Sequence, residues 1–215
     1  MLIADSTSRV DRKLKRNAMK ILLLEESPTL VDDAVIDAVS AGHQIVRCHD
    51  EDESPSTCRA LRNETCPLDV GDVEVAVILQ DGSGNGSADD GARCALRRHI
   101  PVVLAGQGRS AVSEWVTARV NRDQLIETVE MVAHEPSAPH SAVAEGSLLG
   151  VLENHHCNLE GAKARVLRSG NQLRAFICAP HASAEITEIA AVRVAGALRR
   201  FDPFPRTIDV IINDF

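Results

Sequence analysis

Apolar residues in this chain follow two patterns, short unbroken runs and longer stretches at helical spacing, and the two alternate. Lys20–Leu24 (KILLL), Gln44–Cys48 (QIVRC), Asp72–Leu79 (DVEVAVIL) and His99–Leu104 (HIPVVL) are runs of strand length. Leu30, Val31, Ala34, Val35 and Val39 recur at helical intervals and predict a helix over Thr29–Ser40, with Ser27 or Thr29 as cap and Pro28 nearby. Further helices are predicted over Thr57–Arg62, Ala88–Arg98 and Arg122–His134, the last capped by Asn121, and Trp115–Val120 supplies a last short strand. Near-continuous apolar strands separated by helices predict a five-stranded parallel sheet covered on both faces. The strand ends near Glu25, Asp50, Asp81 and Ala105 then share one edge, where open α/β folds usually bind ligands.

After residue 133 the pattern changes. The segment 134–141, with its EPSAPHS stretch, contains prolines and serines and predicts a linker. A helix over Ala142–Asn154, strands over Ala162–Arg168 and Gln172–Ala179, a helix over Glu185–Phe201 and a strand over Arg206–Ile212 predict a small α+β domain with a three-stranded sheet. Ser169-Gly170-Asn171 joins its first two strands as a hairpin turn. The polar residues 1–18, basic around Arg12–Arg16, are expected to be a flexible leader.

Composition narrows the function. One Trp, four Phe and no Tyr leave few platforms for stacking bases, and a formal charge of -8 repels phosphates and anionic lipid. Nucleic acid is therefore disfavoured, and a protein partner or self-association, such as a homodimer, is expected. No apolar run approaches the ~20 residues of a membrane helix, and no secretion signal follows Met1. The expected setting is cytoplasmic, with the six cysteines mainly as thiols.

With Lys20–Leu24, Glu25-Glu26, Asp72–Leu79 and His99–Leu104 in place, residues 19–133 resemble a response-regulator receiver domain. The resemblance implies an acidic pair after the first strand, which Glu25 and Glu26 fill. It also implies a phosphoacceptor aspartate near the end of the third strand, where Val77 stands, with Asp81 four residues later. The hydroxyl residue implied after the fourth strand is Ala105 or Gly106, and the lysine implied near Val120 is missing, since Lys163 is the only lysine after Lys20. The resemblance thus implies a pseudo-receiver without phosphorelay chemistry. Residues 142–215, through SLLGVLENHHCNLEGAKARVLRSGNQLRAFICAP and EITEIAAVRVAGALRR, resemble the small domain of the alkaline-shock protein family, which implies self-association rather than turnover.

Several residue sets carry candidate chemistry. Glu25, Glu26, Asp50 and Asp81 could gather oxygens for Mg²⁺, or serve as helix-start, solvated and turn acids. Gly82, Gly84 and Gly86 follow a strand and precede a helix, where amides can cradle phosphate; the segment is neither a Walker loop nor GxGxxG, and a flexible surface loop is the better account of it. His155, Cys157, Cys178 and His181 offer zinc-type ligands, although adjacent His155 and His156 do not easily face one ion. Cys48, Cys58, Cys66 and Cys94 could form a thiol cluster, without the close spacing of metal modules. No nucleophile motif is present. The expectation is a non-catalytic regulatory or interaction protein; the alternatives are a nucleotide- or small-ligand-binding enzyme using the carboxyl edge, and a Cys/His metal or redox protein.

Overall fold

The computed structural model describes residues 18–25, 31–48, 58, 60, 65–70, 72–80, 87–108 and 110–213. In the first half β1 (Lys20–Glu25), α1 (Val31–Ser40), β2 (Gln44–Arg47), the four-residue α2 (Pro67–Val70), β3 (Val73–Gln80), α3 (Ser87–Arg97), β4 (Val102–Gly106), β5 (Ala118–Val120) and α4 (Leu125–His134) follow one another. The strands form one parallel sheet in the order β2-β1-β3-β4-β5, which is the flavodoxin-like order.

The unbroken apolar runs are explained by burial of both sheet faces. Ile21, Leu23, Val75, Val77, Leu79, Val103 and Ala105 pack on one side against Ala38 of α1 and Leu125, Val129 and Val132 of α4. Their neighbours Leu22, Leu24, Ala76, Ile78, Val102 and Leu104 pack on the other against Ala88, Ala92 and Ala95 of α3 and Leu68 of α2. Successive side chains of a strand point to opposite faces, so a strand covered on both has no polar position to spare. Each large aliphatic side chain so buried contributes about 1.5–3 kcal/mol at the upper bound.

The second half comprises α5 (Ala138–Asn154), β6 (Lys163–Ser169), β7 (Gln172–Cys178), α6 (Ala184–Phe201) and β8 (Thr207–Ile212). β6 and β7 are an antiparallel hairpin, and β8 joins β7 in parallel. Both helices cover one face, where Val166, Leu173, Ala175 and Ile177 meet Leu148 and Leu152 of α5 and Ala190, Val194 and Leu198 of α6. The predicted pairing of a five-stranded parallel sheet with a small three-stranded α+β unit is therefore the architecture found. The turn at Gly170 has φ 53°, and a Cβ there would lie 3.3 Å from the Asp72 backbone, so the hairpin tip packs on the start of β3 through a position that favours glycine.

Several boundaries differ from the sequence reading. The helix expected from Ala142 begins at Ala138, because Pro139 sits in its first turn, where a missing N–H is harmless, and Ser137 takes the N-cap position. The strand expected from His99 begins at Val102, since His99 (φ 54°) closes α3: its N–H reaches Leu96 O and that of Ile100 reaches Ala95 O. Trp115 belongs to a turn before β5. Of the predicted helix over Thr57–Arg62 only Cys58 and Ala60 are described, and residues 1–17 of the leader lie outside the described residues. No described helix is long and apolar enough to cross a membrane.

Candidate functional site

Strand register defines the carboxyl edge of the parallel sheet. Glu25 pairs with Leu79, Leu79 with Ala105, and Ala105 with Val120, so these four share one row. β3 extends to Gln80, which moves the position at its end from Val77, a mid-strand residue paired with Leu23 and Val103, to Leu79 and Gln80. The row thus holds one carboxylate and three aliphatic side chains. Glu25 lies 3.9 Å from the Arg47 guanidinium of β2. Glu26, Asp50, Asp81, Gly82, Gly84 and Gly86 lie outside the described residues.

The Gly106-Gln107-Gly108 turn after β4 is built for close approach. Gly106 has φ 106°, and a Cβ there would sit 2.2 Å from Gln80 O; one on Gly108 would sit 2.8 Å from Gln80 Oε1. These glycines let the loop press on buried Gln80, and Arg122 Nη2 donates to Gln80 O at 3.3 Å. Beside it, Asp89 of α3 accepts from Ser110 Oγ (2.5 Å) and from Ala111 N–H (2.9 Å), which occupies Ser110 in holding a turn.

A second constellation, unforeseen from the sequence, lies at the opposite, amino end of the sheet, where the halves meet. His140 and Asp202 are fully buried, with His140 Nε2 2.9 Å from Asp202 Oδ2 and His140 Nδ1 2.6 Å from Ser137 Oγ. Arg168 Nη1 donates to the same Asp202 oxygen at 2.7 Å, and Phe204 N–H to the other at 3.1 Å. Burial alone would push the Asp202 carboxyl up, but the His140 hydrogen bond, the Arg168 charge and the Phe204 N–H together hold it below its ordinary 3.8. An ionised carboxylate only accepts hydrogen bonds, so Nε2 carries a proton that it donates to Asp202, while Nδ1 and Ser137 Oγ share a second hydrogen bond.

The first half seals this network with His99. Its ring lies 4.5 Å from that of Phe201 and meets His140 edge-on at 5.3 Å. Its pKa is lowered, first by burial and then by His140 and Arg168, against the pull of Asp202 and a hydrogen bond to the Phe201 backbone. Next to it, Arg98 donates to Leu68 O at 2.7 Å, pairs with Asp69 and stacks over Phe204 at 4.7 Å.

Ser137, His140 and Asp202 stand in the order of a hydrolytic triad, but the surroundings oppose that chemistry. His140 has no accessible surface, so a proton taken from Ser137 has no route to a leaving group. Arg168 also draws on the Asp202 charge that would stabilise an imidazolium. What the arrangement does is fix α5, β6 and the end of α6 against one another. Ser137 edges a cleft of about 350 Å³ whose other walls include Glu74, His99, Trp115, Val132 and Arg168. The Glu74 carboxyl is raised, chiefly by burial, with His134 opposing and Asp72 adding to the effect.

The zinc-type set is spread over different surroundings. His155 and His156 end α5, with His156 at φ 56° and its N–H on Glu153 O, and both are exposed. Cys178 is buried in β7, while His181 is exposed in the following turn. Among the described residues no three His, Cys, Asp or Glu side chains converge as a metal site. Of the other thiols, Cys94 is within electrostatic reach of Cys58 and Cys66; burial first, then those neighbours, raise its pKa, which keeps it a thiol.

Compared with protein-family models and with curated proteins, the chain matches neither a family model nor a curated sequence.

Proposed function

We propose that this chain is a non-catalytic regulatory protein in which a pseudo-receiver unit is joined to a small self-associating unit. The observation that carries the reading is the row Glu25–Leu79–Ala105–Val120 at the carboxyl edge. Phosphorelay at such an edge needs a carboxylate to accept the phosphoryl group and a cation to pair with it. Leu79 is fully buried and aliphatic, and Val120 has no charge to offer. Self-association of the second unit, α5-β6-β7-α6-β8, is what its sequence resemblance to the alkaline-shock small domain implies. Six free thiols support a reducing, cytoplasmic setting.

The test is incubation with acetyl phosphate and Mg²⁺, followed by intact-mass measurement. The protein is expected to remain unmodified under conditions that load a functional receiver. A stable gain of one phosphoryl group, mapped to Asp81, would overturn the pseudo-receiver reading.

A further inference from the structure

α6 turns an apolar stripe toward solvent. Its inward face is Thr187, Ala190, Val194 and Leu198, all buried. On the opposite side Val192 is 73% exposed and Ile189 37% exposed, and Gly196 follows at helical spacing. The region where a Gly196 Cβ would stand is open except for the tip of the Arg200 side chain, 3.7 Å away. Glu185 and Glu188 lie exposed at the amino end of this face and Arg200 at its carboxyl end. None of them has an oppositely charged residue three or four positions away on its own helix. The helix dipole favours acids at the start and bases at the end, but it does not account for an uncovered Val192 and Ile189 between them.

We propose that this face of α6 is the surface through which two copies of the chain associate, as an antiparallel helix pair about a two-fold axis. The inference rests on the self-association reading above and supplies its surface. In an antiparallel pair centred between Val192 and Arg193, Ile189 meets Gly196 of the second copy and Glu185 meets Arg200. The absent side chain at Gly196 then receives Ile189, and Glu185 and Arg200, each without a partner on its own helix, neutralise each other. The same patch serves both copies, so the contact closes as a dimer and does not propagate. A single helix pair falls below the ~1,200 Å² of standard interfaces, which places the dimer in the weak, concentration-dependent class.

Sedimentation velocity over a concentration series through the micromolar range tests this on the full chain. The parent is expected to shift from monomer to dimer. Val192→Glu is expected to remain monomeric throughout with an unchanged circular dichroism spectrum, since the position is exposed. Glu185→Arg and Arg200→Glu are each expected to weaken the dimer, and the double variant to regain it. If the parent dimerises and Val192→Glu dimerises equally well, the α6 surface is wrong while self-association stands. If the parent stays monomeric at every concentration, both are overturned, and the phosphorylation result is unaffected.

Discussion

Replacing Asp202 with asparagine removes one charge and almost no volume from the buried network at the junction of the halves. Arg168, whose side chain is only 9% exposed, would then lack its counter-ion, while the hydrogen bond from His140 Nε2 could still be accepted by the amide oxygen. Removing one partner of a buried ion pair costs about 3–5 kcal/mol, and retention of the His140 bond places this variant near the lower figure. A loss of about 3 kcal/mol in a chain of this size lowers Tm by roughly 6–12 °C.

The pH dependence follows from the direction of the Asp202 shift. The folded carboxyl titrates below its ordinary 3.8, so its contribution is complete above that value and is lost as pH falls through the lower, folded one. The gap between parent and Asp202→Asn should therefore be constant near neutrality and narrow only in acid. Adding Arg168→Met to Asp202→Asn should recover much of the loss, because the penalty is chiefly that of an isolated buried guanidinium. Thermal and urea unfolding followed by far-ultraviolet circular dichroism measure all three. A single-variant loss under about 1 kcal/mol, the size of one ordinary hydrogen bond, or no recovery in the double variant, would refute this account of the junction.

Two further outcomes are expected. His99 titrates below its ordinary 6.5 because burial, His140 and Arg168 outweigh Asp202, so the unfolded chain binds more protons and stability falls as pH drops below 6.5; His99→Asn, which tolerates the left-handed backbone, should flatten that slope in denaturation series at pH 7 and 5.5, and an unchanged slope would assign it to another group. Gly106→Ala drives a Cβ to 2.2 Å from Gln80 O at φ 106° and should lower stability by at least ~2 kcal/mol in urea titrations; an unshifted midpoint would show that the β4 loop does not press on β3 as described.

Much of the fold was legible in the chain. KILLL and DVEVAVIL announced buried strands because a sheet covered on both faces admits no polar alternation, and Ser169-Gly170-Asn171 announced its hairpin. The strand expected over Asp72–Leu79 runs to Gln80, and only register shows that Leu79, within its apolar run, faces Glu25. The prolines and serines of EPSAPHS suggested a linker across 134–141, although Ser137 followed by Pro139 also fits a helix start.

By itself the sequence determined the alternation of elements and the presence of a five-stranded parallel sheet beside a separate three-stranded one, because these depend on local periodicity. The tertiary structure alone decided that His140, Arg168 and Asp202 form one network under His99, that Gly106 lies against Gln80, and that Val192 stays uncovered. His140 and Asp202 are 62 residues apart, and a lone histidine in a Pro-Ser segment has no periodic signal. Pairings of that range arise when packed elements exclude water, a condition set by the whole fold and by no local stretch of it.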